Sequence, residues 1–213
     1  FGMKGALYRE DALVIWAARR LQQPVFWTAD RGESFLSDEH ARAVSGTSSL
    51  GLDVDGNFTA LWVDAHIDTG AYLSRRSKGL LNNMGGVAGQ YKTPNIATQM
   101  SFFFTNTMQT SPYRGFGRPE ATYVIERLID QAARETGRDP LALSQQNPTP
   151  AEAMPYQTAL TFNYDSGNFP KIVATAAKNA DYAGFAKRRK KSEARGLLRG
   201  IGIANPIEVA GGP

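Results

Sequence analysis

Cysteine is missing from the 213-residue chain, and histidine occurs only as His40 and His66. The first absence excludes disulfides, thiolate zinc sites and protein-ligated iron–sulfur clusters within these residues. The second leaves no material for a histidine-rich metal site. No apolar run approaches the roughly 18 residues that span a bilayer, and no secretory leader pattern is visible. The chain holds no Gly-x-x-x-x-Gly-Lys phosphate loop, no Ser/His/Asp set and no internal repeat. Charge of one sign is only mildly in excess, at a net +4 and a pI of about 9.4. Much of that excess falls in one run, KRRKKSEAR at residues 187–195. The run lacks the interleaved aromatics that stack bases, so it reads as a solvated helix face. A basic nucleic-acid-binding module is the alternative from a different functional class.

What is present reads as a globular domain, with 42% hydrophobic and 21% charged residues. Residues 6–23 keep a helical period through Leu7, Leu13, Val14, Ala17, Ala18 and Leu21, and Pro24 ends it. PVFWTAD (24–30) reads as a short buried strand, and RGESFLSDEH (31–40) as polar and irregular. Two strands follow, at 41–54 and 58–72. The turn between them, Asp55-Gly56-Asn57, is a hairpin signal because glycine accepts positive φ. Alternation through Leu61, Val63, Ala65 and Ile67 predicts one buried face. RRSKGLLNNMGGVAGQ (75–90) reads as loop or short helix. Residues 95–107 read as a strand, with Phe102, Phe103 and Phe104 touching the core.

The clearest helix begins after Gly117, with Pro119 at its first position. It carries Ala121, Val124, Ile125, Leu128, Ile129, Ala132 and Ala133 on one face, and Gly137 caps its end. Residues 147–168, rich in Pro, Thr and Asn, read as a long connection at a domain boundary. Two short helices near 170–180 and 184–195 follow, then a new strand from residue 197. Strands followed by helices predict an α+β fold, with a mixed, largely antiparallel sheet packed with helices.

Two loops carry chemistry. FGMKG (residues 1–5) places glycines where a backbone can approach a ligand. SPYRGFGRPEATYVIERL (111–128) sets two arginines and two glycines at the mouth of a helix. Arg114 offers a fork of N–H donors to an oxyanion, and Gly115 and Gly117 free the backbone to curve. Phe116 offers a face to a flat ring. The plain reading is a capped helix start, with Glu120 at the positive helix end; both readings hold at once. Asp64 and Asp68 are candidates for an acid–base pair, but a solvent-facing strand explains them more simply. His66 reads as structural and His40 as a surface loop residue.

FGMKG, then QQPVFWTADRGESF, then YKTPNI, then YRGFGRPEATYVIERLIDQAARETGRDP, in this order and spacing, resemble the large molybdenum-binding subunit of the molybdenum hydroxylases. That family includes xanthine dehydrogenase, aldehyde oxidase and the carbon monoxide dehydrogenase large chain. EAMPYQT and YDSGNFPKIVATA look like its bacterial members. The resemblance covers almost the whole chain, which starts in mid-motif and is therefore expected to be a fragment. It implies the later part of a first molybdenum-cofactor-binding domain at 1–147, a connection at 148–168 and the start of a second such domain at 169–213.

The resemblance also implies a chemistry: hydroxylation of an electron-poor carbon with oxygen taken from water, at molybdenum held on a pterin dithiolene. In bacteria the cytosine dinucleotide form of molybdopterin is implied. Electrons pass to 2Fe–2S and FAD groups on partner subunits or domains, in a dimer of heteromers located in the cytoplasm, with periplasmic export the alternative. No nucleic acid and no membrane span are expected. Carried over by motif, Phe1, Gly2, Arg114 and Gly115 are the cofactor-binding positions. Gly5, Asn82 and Phe116 are the substrate-pocket positions. The resemblance places the catalytic glutamate and a further Gly-Gln-Gly cofactor loop downstream of this stretch and assigns it no metal-ligating residue, so the isolated piece is expected to be inactive.

The departures from the family pattern narrow the substrate. Gly5 stands where xanthine dehydrogenases carry a purine-binding Glu, and Asn82 where they carry an Arg. A site built around those anchors does not keep purine specificity without them. Gly115 stands where copper-containing carbon monoxide dehydrogenases place a Cys. An aldehyde or N-heteroaromatic hydroxylase remains, with the carbon monoxide dehydrogenase large chain as the alternative.

Overall fold

The computed structural model describes residues 7–74 and 79–208. Its central feature is a three-stranded mixed sheet in the order β1 (Val44–Leu52), β2 (Phe58–Asp68), β3 (Asn95–Phe103). β1 and β2 form the expected antiparallel hairpin, with Val44 opposite Ile67 and Leu50 opposite Leu61. The turn adopts positive φ at Gly56 (93°). Asp53 organises it, its carboxylate accepting the backbone N–H groups of Asp55 and Asn57. β3 lies parallel to β2, with Leu61 opposite Ile96 and Ile67 opposite Phe102. A parallel neighbour needs a crossover, and the chain between β2 and β3 supplies it.

That crossover contains α3 (Gly79–Met84) and a 3-10 turn at Gly85–Ala88. The glycines serve close packing. A Cβ at Gly85 would lie 2.2 Å from Thr161 Oγ1, and one at Gly86 would lie 2.9 Å from the Phe162 ring. Thr161 and Phe162 belong to a small hairpin of β4 (Tyr156–Gln157) and β5 (Asn163–Tyr164). Tyr164 pins that hairpin by donating its hydroxyl to the Gly89 carbonyl at 2.6 Å.

The inner face of β2 is the predicted one. Leu61, Val63, Ala65 and Ile67 are all at most 4% exposed. α4 (Arg118–Thr136) covers this region with Ala121, Ile125, Ile129, Ala132 and Ala133, and Met84, Val87 and Tyr91 complete the core. Each fully buried Val, Leu or Ile contributes about 1.5–3 kcal/mol of transfer free energy. α4 starts one residue earlier than predicted, so Pro119 is its second residue. It ends at Gly137 in the left-handed conformation. α5 (Pro140–Gln146) follows, its first turn capped by Asp139. Then come α6 (Phe169–Asn179) and α7 (Phe185–Glu193), which carries most of the basic run.

Four local expectations are corrected. PVFWTAD has no regular secondary structure and pairs with no strand among the described residues, and Phe26 is 90% exposed. RGESFLS is α2 (Arg31–Ser37), started by the Asp30 carboxylate, which accepts the Glu33 N–H at 2.7 Å. Phe102 packs on the core, but Phe103 and Phe104 are exposed, since alternate residues of a strand face opposite ways and β3 ends at Phe103. Residues 197–208 form no strand; the Gln90 amide donating to the Pro206 carbonyl and the Asn205 amide donating to the Tyr91 hydroxyl hold this segment instead. α1 (Arg9–Leu21) is the predicted helix, and no residue of it is buried against the described chain.

Candidate functional site

The loop at 111–117 leads into α4 through two successive turns. The Phe116 N–H donates to the Tyr113 carbonyl at 2.8 Å, and the Arg118 N–H to the Gly115 carbonyl at 3.1 Å. Gly115 and Gly117 have φ of 89° and 92°, a region that side chains disfavour. A Cβ at Gly115 would sit 2.7 Å from Pro119 Cγ, and one at Gly117 would sit 2.7 Å from Asn83 Cβ. The glycines therefore answer first to the turn itself. Behind the loop, the Ser111 N–H donates to the His40 carbonyl at 2.8 Å, tying it to the segment before β1.

That segment supplies a residue the sequence did not single out. Arg42 has φ of 64°, uncommon for a residue with a side chain. Its Nη2 donates to the Arg114 carbonyl at 2.6 Å, and its Nη1 to Glu120 Oε1 at 3.0 Å. Its guanidinium lies 5.3 Å from the centroid of the Tyr113 ring, within cation–π range. The other Glu120 oxygen accepts the Gly117 N–H at 2.8 Å. Glu120 thus completes one half of a capping box while holding a cation. Nothing in the periodicity around Arg42 marks it, because its partners lie more than seventy residues away in the chain.

Of the site positions expected from the motifs, Phe1, Gly2 and Gly5 lie outside the described residues. Arg114 is exposed, and its guanidinium has no partner among the described residues. Phe116 is half-buried. Its ring edge faces Gly79, where a Cβ would come within 2.9 Å, and it packs against the core. Asn82 lies in α3, whose next residue, Asn83, donates its side-chain amide to the Phe116 carbonyl. The loop and α3 therefore meet, which brings the positions of Arg114, Gly115, Phe116 and Asn82 to one end of α4.

A cleft of about 540 Å³ opens between β1, β2 and the start of α4, with Arg42, Asp64, Glu120 and Tyr123 in its walls. Neither Arg114 nor Phe116 lines it. Asp64 and Asp68 do not pair. Asp64 lies 3.6 Å from His66 Nε2. Asp68 accepts from the Thr105 and Thr107 hydroxyls and the Gly70 N–H. Burial opposes the Asp68 charge, but those three donors hold its pKa below the usual carboxylate value. Among the described residues no group of three His, Cys, Asp or Glu side chains forms a candidate metal site.

A buried polar cluster stands on the other flank of α4. Tyr91 donates its hydroxyl to Glu126 Oε1 at 2.8 Å and accepts from Asn205 Nδ2 at 2.9 Å. Burial pushes the Glu126 carboxyl above its ordinary pKa, against the lowering effect of the Tyr91 bond. Burial, then the Glu126 charge, pushes the Tyr91 phenol up. Sequence reading placed Glu126 on no buried face, since a glutamate within an apolar helix period gives no sign of its partners.

Residues 1–148 match the model of the molybdopterin cofactor-binding domain. The chain is 31% identical to the 6-hydroxypseudooxynicotine dehydrogenase complex subunit gamma of Paenarthrobacter nicotinovorans, over 99% of this chain and 27% of that protein. It is 32% identical to the carbon monoxide dehydrogenase large chain of Afipia carboxidovorans, again over 99% of this chain and 27% of the relative. Among solved structures, quinoline 2-oxidoreductase from Pseudomonas putida superposes with a TM-score of 0.85 at 30% identity, covering 92% of this chain and 25% of that one.

The chain belongs to the molybdopterin cofactor-binding domain family, and the proteins it resembles include a nicotine 6-hydroxylase large subunit and a xanthine dehydrogenase molybdenum-binding subunit. The resemblance read from its ordered motifs is thereby borne out, as is the mixed α+β fold. The chain spans about a quarter of the length of the curated relatives it matches. No helix among the described residues is long and apolar enough to cross a membrane.

Proposed function

We propose that this chain is part of the catalytic subunit of an oxidoreductase that hydroxylates an aldehyde or N-heteroaromatic carbon with oxygen derived from water. The observation that carries this reading is the loop at 113–117. It presents an exposed guanidinium, without an acidic partner among the described residues, from a rigid turn in a domain of the molybdopterin-binding family. An unneutralised arginine fork fits an anionic, phosphate-bearing cofactor. When bound, the cofactor supplies the redox and oxygen-transfer chemistry of the reaction. Arg114 and the backbone at Gly115 hold it, together with Phe1 and Gly2. Phe116, Asn82 and Gly5 shape the substrate side.

The bound form is proposed as molybdopterin cytosine dinucleotide, with electrons leaving to 2Fe–2S and FAD partner subunits in a cytoplasmic dimer of heteromers. Residues 1–147 form the later part of one cofactor-binding domain, 148–168 a connection and 169–213 the start of the next. Similarity to proteins named nicotine 6-hydroxylase large subunit and quinoline 2-oxidoreductase supports the N-heteroaromatic arm of the substrate choice.

Carbon monoxide oxidation is the second reading, favoured by the similarity to a carbon monoxide dehydrogenase large chain. Gly115 at the copper-ligand position, in a stretch without cysteine, weighs against it. A screen of the full-length complex with an artificial electron acceptor separates these readings. Turnover of N-heterocycles or aldehydes without carbon monoxide oxidation is the expected result. Carbon monoxide oxidation alone would overturn it.

A further inference from the structure

We infer that Arg42, paired with Glu120, is the positioning residue that sets the cofactor loop, an inference that rests on the cofactor-binding reading of Arg114. Three separate points of the loop are held by this one pair. The Tyr113 ring lies under the Arg42 guanidinium, the Arg114 carbonyl accepts from Nη2, and the Gly117 N–H donates to the carboxylate that Nη1 also engages. Gly115 lies between those points and Gly117 at the last of them, and glycine backbone has many other conformations open to it unless its neighbours are held. With the Arg114 backbone fixed and its side chain unengaged among the described residues, the guanidinium is the part of the residue left for a ligand.

The pair is partly shielded, with side-chain exposures of 35% for Arg42 and 10% for Glu120. Its weight therefore lies in where it fixes the loop atoms rather than in the energy of the charge pair, which solvent screens on the Arg42 side. Arg42 also holds a left-handed backbone conformation, and strain of this kind persists where the surroundings over-determine it. Lysine is a poor replacement here. A single ammonium cannot present a planar fork to a carboxylate and a carbonyl while stacking on a ring.

The test is the molybdenum content per subunit of the purified full-length complex, read beside its thermal midpoint, for Arg42→Gln, Arg42→Lys, Glu120→Gln and Arg114→Ala. Residues that orient ligand-holding groups typically cost about tenfold or more in metal retention when replaced. Arg42→Gln is therefore expected to lose most of its molybdenum with a nearly unchanged melting midpoint. Arg42→Lys is expected to recover only a minor part of it. Glu120→Gln, which keeps an acceptor for the Gly117 N–H, is expected to lose less and serves if Arg42→Gln does not fold.

Full molybdenum in the Arg42 variants, or in Glu120→Gln where Arg42→Gln does not fold, with loss in Arg114→Ala, would overturn the positioning role and leave the cofactor reading intact. Full recovery in Arg42→Lys would likewise reduce Arg42 to a charge. Full molybdenum in every variant, Arg114→Ala included, would overturn the cofactor reading of the loop itself.

Discussion

Arg42 and Arg114 meet through one bond, Nη2 of the first donating to the main-chain carbonyl of the second at 2.6 Å. Two cations are thus placed side by side with different tasks. One is neutralised by Glu120 and spent on the backbone; the other projects its charge from the loop. The helix that follows begins where this arrangement ends, so the fold and the candidate site share their anchor points.

Gly117→Ala tests whether that anchor is sterically locked. Its φ of 92° and a Cβ 2.7 Å from Asn83 Cβ and 3.0 Å from the Leu80 carbonyl oxygen should destabilise the protein by about 2–3 kcal/mol. Gly137→Ala is the control. It has φ of 68° but nothing within 4 Å of the added carbon, so about 1 kcal/mol of strain is expected. Denaturant titration of the two variants should give that order; an equal loss in both would mean the loop has room to relax.

The Tyr91–Glu126–Asn205 cluster gives a stability prediction. Tyr91→Phe leaves the Glu126 carboxyl without its phenolic donor in a buried place, at a cost of about 1–3 kcal/mol. The midpoint of chemical unfolding measures it.

Glu126 gives a pH prediction. Its folded pKa is raised above the ordinary 4.5, so the native state binds more protons than the unfolded state in the window above that value. Stability from this group is then present in acid and is lost as pH rises through the folded pKa. Glu126→Gln removes the titration and keeps an acceptor for Tyr91. Its stability relative to wild type should grow as the pH rises above the ordinary carboxylate value of 4.5; a difference that stays flat as the pH is raised from there would contradict a raised native pKa.

Phe116 is proposed to face substrate while its ring also rests on the core. Phe116→Leu preserves most of the apolar volume and removes the aromatic face. Steady-state kinetics of the full-length enzyme should show a several-fold lower kcat/KM for a ring substrate, of about the 0.5–1.5 kcal/mol that an aromatic contact carries. An unchanged kcat/KM would place the ring in the core alone.

Local patterns made much of the fold readable. The alternation through Leu61 and Ile67 marked the buried face of β2, and the period from Ala121 to Ala133 marked α4. Both elements display their burial along their own length. What stayed hidden depends on distant partners. The parallel pairing of β3 with β2, the glycines under Thr161 and Phe162, and the bonds from Arg42 to the loop join residues far apart in the chain. PVFWTAD and residues 197–208 have strand composition, but a strand also needs an edge to pair with, and composition does not say whether one is free. The motif around Arg114 announced a loop of interest; how the loop is held became visible only in three dimensions.

Molybdenum quantification of the full-length complex, wild type against Arg114→Ala, tests the account most directly. A charge-assisted bond of about 1.5–3 kcal/mol predicts near-stoichiometric metal in the wild type and a loss of roughly tenfold or more in cofactor affinity in the variant. An active wild-type enzyme without molybdenum, or a variant that retains its full complement, would contradict it.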